Sequence, residues 1–85
     1  WYEKAYDLGV LLREWREDYA PDPAQKGKER CAYLHQLTGV GKEAIFQWGF
    51  LQCVSTGLLY WDIHRETGQE LLGIAQAWLE LEGNL

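Results

Sequence analysis

The side chains in this 85-residue sequence that could carry chemistry are two histidines, two cysteines, a glycine-flanked lysine and a few acids among apolar neighbours. Nucleophilic catalysis needs a nucleophile within hydrogen-bond reach of a base that a third group orients. His35 and His64 fall on different expected helices, with no Ser or Cys arrangement beside them. Asp62 and His64 are expected on different sides of one helix, so structural or surface roles follow for both histidines. Cys31 and Cys53 lie inside helical patterns among apolar residues. Two cysteines this far apart read as reduced core thiols rather than as a disulfide framework. No Cys/His grouping has zinc-ligand spacing. Gly39-Val40-Gly41-Lys42 resembles part of a phosphate loop. That loop needs two glycines five apart, then Lys and Ser/Thr after a strand. Here a helix precedes and Glu43 follows the lysine, which makes the segment a turn between helices.

The acids offer more. Asp7 stands in the first turns of a helix, where a carboxylate caps backbone N–H groups or complements the helix dipole. Periodicity alone makes it an ordinary N-terminal acid. Glu17 and Asp18 are adjacent acids at the far end of the same helix, where the dipole disfavours negative charge. Beside a Pro-rich turn they could collect a cation or a polyamine-like ligand. A solvated charge pair is the plainer reading.

Four helices position these residues. The first, roughly 3–19, carries an apolar stripe of Ala5, Leu8, Leu12, Trp15 and Tyr19. Asp7, Glu14 and Asp18 occupy another side, and Tyr6 and Val10 form a smaller patch. Asp22 is a suitable N-cap and Pro23 a suitable first residue for the second helix, roughly 23–38. Its opening turns, Gln25-Lys26-Gly27-Lys28, should be solvated, with Cys31, Tyr33, Leu34 and Leu37 supplying burial. Gly39 is a natural C-terminal cap. The third helix, roughly 42–65, is apolar on every line: Phe46, Phe50, Cys53 and Tyr60; Leu51, Val54, Leu58 and Trp61; Ile45, Trp48 and Leu59. A helix apolar all round is surrounded by protein, and four helices of this length can hardly enclose it completely. Gly49 and Gly57 would admit a close neighbour. The fourth helix opens on Thr67 and Glu70 at capping-box spacing. It buries Leu71, Ile74, Ala75 and Trp78 and runs to about Glu82, with Gly83 closing it. The fold class is all-α.

Composition bounds the rest. The length allows one domain, and 47% hydrophobic residues with five Trp, five Tyr and two Phe supply ample core. So many rings in a short chain predict apolar surface that a neighbour covers. The chain starts at Trp1 and holds no Met, so further sequence is expected ahead of it. The start lacks the pattern of a signal peptide, and no apolar run reaches the ~20 residues that span a bilayer. A cytoplasmic protein without membrane partners is expected. Thirteen acids against eight bases, a net charge of −5, argue against nucleic acid.

The segment Tyr6-Asp7-Leu8-Gly9-Val10-Leu11-Leu12-Arg13-Glu14-Trp15-Arg16-Glu17-Asp18 resembles the helix that follows the metal-binding loop in aminoglycoside phosphotransferases. These are antibiotic-resistance enzymes with a protein-kinase-like fold. Leu37-Thr38-Gly39-Val40, Ile45-Phe46-Gln47-Trp48-Gly49-Phe50 and Ala75-Gln76-Ala77-Trp78 are similar to their C-terminal helices. The resemblance covers nearly all 85 residues. It implies that residues 1–85 form the four-helix C-terminal subdomain of the larger lobe. The N-lobe and catalytic loops would lie outside them, and the remainder of the same chain would be the main partner. It further implies that Asp7 braces the catalytic loop through backbone hydrogen bonds, and that Glu17 and Asp18 bind ammonium groups of the antibiotic. Charge-assisted hydrogen bonds suit that role. ATP and Mg would belong to the parent enzyme, and the segment itself would hold no cofactor, metal or catalytic residue. The family's His-Gly-Asp-type loop and metal loop are not in this sequence, so the segment alone should be inactive. The family also uses acids near its C-terminus for substrate. None stands between Glu43 and Asp62, and relatives acting on macrolides or small hydroxylated metabolites share these helices.

Two other classes fit the same residues. A non-enzymatic helical module would bind a partner protein through an aromatic face. A small ligand-binding bundle would enclose an apolar cavity rather than carry an acidic rim. The phosphotransferase reading predicts exposed apolar surface and self-association when the segment is isolated.

Overall fold

The computed structural model describes residues 2–20 and 22–80, and over these residues the chain is helical, without a strand. The elements are α1 (Tyr2–Glu14), a single 3-10 turn (Arg16–Asp18), α2 (Pro23–Thr38), α3 (Lys42–Ile63) and α4 (Arg65–Leu79). The expected end of the last helix near Glu82 and Gly83 lies outside the described residues.

The expected stripe on α1 packs inward: Ala5 and Leu12 are buried, Leu8 and Trp15 half-buried. Its continuation differs from expectation. The helix stops at Glu14, and Tyr19 reaches the core by folding back. The Tyr19 hydroxyl donates to the Leu12 carbonyl, and its backbone N–H to Arg16 O. Its ring meets Trp78 edge-on at 5.3 Å. A straight helix to residue 19 would leave that aromatic ring without this contact, and burying a large aromatic outweighs one more helical turn.

Both ends of α2 follow local chemistry. The Asp22 carboxylate accepts from Gln25 N, with Pro23 in the first turn. Gly39 ends the helix at φ 76°, a conformation other residues seldom adopt. The interior of α2 departs from expectation in two places. Gly27 is buried because the Trp78 indole lies against its Cα, where a Cβ would overlap the ring. Tyr33 and Leu37 are exposed, while Val40 beyond the cap is fully buried. With Cys31 and Leu34 facing inward, Tyr33 falls off their face. Leu37, three positions beyond Leu34, keeps the inward spacing and is exposed nonetheless, in the last turn of α2.

α3 is the central element, packed against both α1 and α4. Gly9 of α1 lies against the backbone of Trp48 and Gly49, and a Cβ there would meet three atoms within 2.8 Å. Gly49 admits the Leu12 side chain, and Gly57 admits Leu72, as the sequence suggests. Ile45, Phe46 and Cys53 are buried, but Leu51, Leu58, Leu59 and Ile63 are between half and seven-tenths exposed. The other helices cover one side of α3 and leave a row of branched apolar residues in the open.

α4 buries Leu71, Ile74, Ala75 and Trp78 as the spacing predicts. It begins two residues before the expected capping box. His64 ends α3 in an extended conformation, and its ring Nδ1 accepts from Thr67 N at 3.3 Å and lies 2.9 Å from the Thr67 hydroxyl. The imidazole therefore takes the role expected of Thr67, and Glu70 instead accepts from Arg16 Nε at 3.0 Å. Trp78 closes the core: it donates from Nε1 to Pro23 O at 2.7 Å and stacks obliquely on Phe46 at 5.6 Å.

Candidate functional site

Asp7, Glu17 and Asp18 are all exposed, but the structure does not bring the three together. Asp7 lies two turns before the end of α1, roughly 10 Å of helix rise away. The close contact at Gly9 and the edge-on packing of Tyr6 on Trp48, at 5.2 Å, fix the rotation of α1 on α3. With that rotation set, Asp7 faces away from the other described helices.

Glu17 and Asp18 owe their place to the end of α1. Because the chain tightens into a 3-10 turn and Tyr19 is pulled inward, the two acids are displayed on the outer side of a short corner. Glu17 makes no ion pair among the described residues. Asp18 faces Arg30 of α2, with 3.6 Å between Oδ2 and Nη2. The guanidinium of Arg30 also lies over the Trp15 ring, 4.8 Å from its centroid. Trp15, Glu29, Arg30 and Tyr33 together line an open groove of about 430 Å³ between the end of α1 and α2. The bond from Trp78 to Pro23 O anchors the start of α2.

The groove combines two aromatic faces with the carboxylate of Glu29 in its lining and that of Asp18 beside Arg30. Aromatic faces suit the C–H face of a ring or a cation, and carboxylates suit ammonium groups. The nearby arginines are engaged differently. Arg16 reaches Glu70 at 3.0 Å, and Arg13 crosses to α3, donating to Gln52 Oε1 at 3.0 Å and Thr56 Oγ1 at 3.1 Å. Arg13 holds α1 against α3, and Arg16 ties the 3-10 turn to α4. Among the described residues no three His, Cys, Asp or Glu side chains gather where they could hold a metal ion.

The remaining candidates take structural places. His35 Nδ1 lies 2.7 Å from Val40 O and stabilises the turn after α2. Gly39 and Gly41 shape that turn between two helices, as expected. The Cys31 thiol donates to Lys42 O at 3.1 Å, and burial pushes it up to about 11. The sequence does not single out Trp15, Glu29, Arg30 and Tyr33 as a group. Glu29 and Tyr33 are one turn apart on α2, which is legible, but their meeting with Trp15 depends on how α1 and α2 cross.

Compared with family models, with curated proteins and with solved structures, the chain matches none of them. No helix among the described residues is long and apolar enough to cross a membrane.

Proposed function

We propose that these helices are the C-terminal subdomain of a kinase-like small-molecule phosphotransferase that moves the γ-phosphate of ATP to a hydroxyl of an aminoglycoside-like substrate. The observation that carries this reading is the disposition of the segment resembling that family. Leu8, Leu12 and Trp15 of this segment pack against the core, while the side chains of Asp7, Glu17 and Asp18 are exposed, Asp18 facing Arg30. Asp7 would brace the catalytic loop, and Glu17 and Asp18 would take ammonium groups of the substrate beside the aromatic groove. ATP and Mg would be bound by the remainder of the chain, where Mg offsets charge on the transferring phosphoryl group. No step of the transfer is assigned to the described residues.

The test is kinetic, in the full-length protein. Glu17→Gln combined with Asp18→Asn should raise KM for aminoglycosides about tenfold, with kcat little changed, because uniform binding is lost. Unchanged kinetics across several aminoglycosides would remove both acids from the site. The 85-residue chain alone should phosphorylate none of them, and activity there would sink the subdomain reading.

A second reading rests on the open face of α3. Leu51, Leu58, Leu59 and Ile63 form an exposed apolar row of the kind that interfaces use. A non-enzymatic module would present that row to a partner protein, and it would remain monodisperse alone or with that partner.

A further inference from the structure

The guanidinium of Arg30 stands where an external cation would bind, over Trp15 and facing Asp18. We infer that Arg30 is an internal competitor for Asp18, a specificity-determining residue that admits polyamino ligands to the groove and turns single-charge amines away. The inference rests on the reading of Glu17 and Asp18 as substrate carboxylates.

The geometry of the pair supports displacement. At 3.6 Å the Arg30–Asp18 contact is longer than a hydrogen bond, and the Asp18 side chain is 59% exposed. Arg16 and Arg13, by contrast, hold their carboxylates at 3.0 and 2.6 Å. An ion pair in contact with water contributes little and is easily exchanged. Arg30 is nevertheless tethered to the site, so its local concentration is far above that of a free ligand. A ligand with one ammonium group replaces one cation by another and gains nothing in charge. A ligand with several meets Asp18 and the groove's Glu29 as well, and its ring covers the Trp15 and Tyr33 faces that line the groove. Arg30 then swings into water, which its partly exposed position allows.

Calorimetric titration of the full-length protein tests this, with neamine, which carries several ammonium groups, and glucosamine, which carries one. Arg30→Gln should tighten neamine about fivefold, the equivalent of about 1 kcal/mol, and make glucosamine binding measurable. Arg30→Lys keeps a tethered cation and should keep the selectivity of the native protein. In the Arg30→Gln/Asp18→Asn double variant the gain should vanish. Circular dichroism on each variant confirms that the helices persist. If Arg30→Gln leaves neamine binding unchanged or weaker while Asp18→Asn still weakens it, Arg30 is no competitor and the acids stand as substrate ligands. If neither Glu17→Gln nor Asp18→Asn alters neamine binding, the substrate reading of the acids fails, and the role of Arg30 fails with it.

Discussion

Burial keeps the two thiols protonated. Cys53 is pushed up to about 12, with the charges of Arg13 and Arg16 opposing the shift. Cys31 is pushed up to about 11, with Lys42 opposing. Burial raises the Tyr19 hydroxyl in the same direction. Each of these groups is neutral when protonated, and each ionises more easily in the unfolded chain. Their contribution is therefore fully present below the unfolded pKa, near 9 for the thiols, and is lost as pH rises through the folded values of about 11 and 12. Denaturant unfolding followed across pH should show stability falling between pH 9 and 12, and Cys53→Ala should flatten part of the fall. A stability that climbed through that window would contradict the burial of these groups. The sequence already marks both cysteines as core thiols, because each sits inside an apolar run. It places no such mark on Arg30, whose two contacts come from residues twelve and fifteen positions away. A surface arginine on a polar helix carries no pattern that says which ring it will cover.

At the scale of elements, glycines of opposite environment make the packing measurable. Gly73 lies on the exposed side of α4, where an added methyl would meet nothing within 4 Å. Gly73→Ala should therefore gain about 0.5–1 kcal/mol of helix propensity. Gly9 has the same propensity to gain, but its methyl would collide with the backbone of α3 at 2.7 and 2.8 Å. Side chains can turn aside and backbone cannot, so Gly9→Ala should cost a net ~1–3 kcal/mol as α1 is forced off α3. Thermal melts of the two variants should shift in opposite directions. The same contrast between local and distant causes explains which helix ends are legible in sequence. The bounds of α2 are, because Asp22, Pro23 and Gly39 each act on their own neighbourhood. The end of α1 is not, because what stops it is the pull of Trp78 on Tyr19, from an element far along the chain. The start of α4 escapes the pattern because imidazole capping competes with a Thr-Glu spacing that looks stronger in the sequence.

Taken as a whole molecule, the fold leaves its most apolar helix half-covered. The sequence indicates that α3 is too apolar for three partners to enclose. It cannot indicate which line stays bare, since apolar residues on every side give the helix no preferred face. The bare line is Leu51, Leu58, Leu59 and Ile63. Light scattering on the 85-residue chain should show concentration-dependent association, and Leu58→Glu with Ile63→Lys should return it to a monomer. A native chain that stays monomeric at high concentration would show that this face needs no cover. The closing contact of the core has a different consequence. Trp78 donates to Pro23 across 55 residues of sequence, and it is the ring on which Tyr19, Phe46 and Gly27 converge. At about 5–20 residues per second, a ribosome needs roughly 3–11 s to travel from the one residue to the other. For that interval the nascent helices have their apolar sides made but no ring to close on, and they depend on whatever shields them during synthesis.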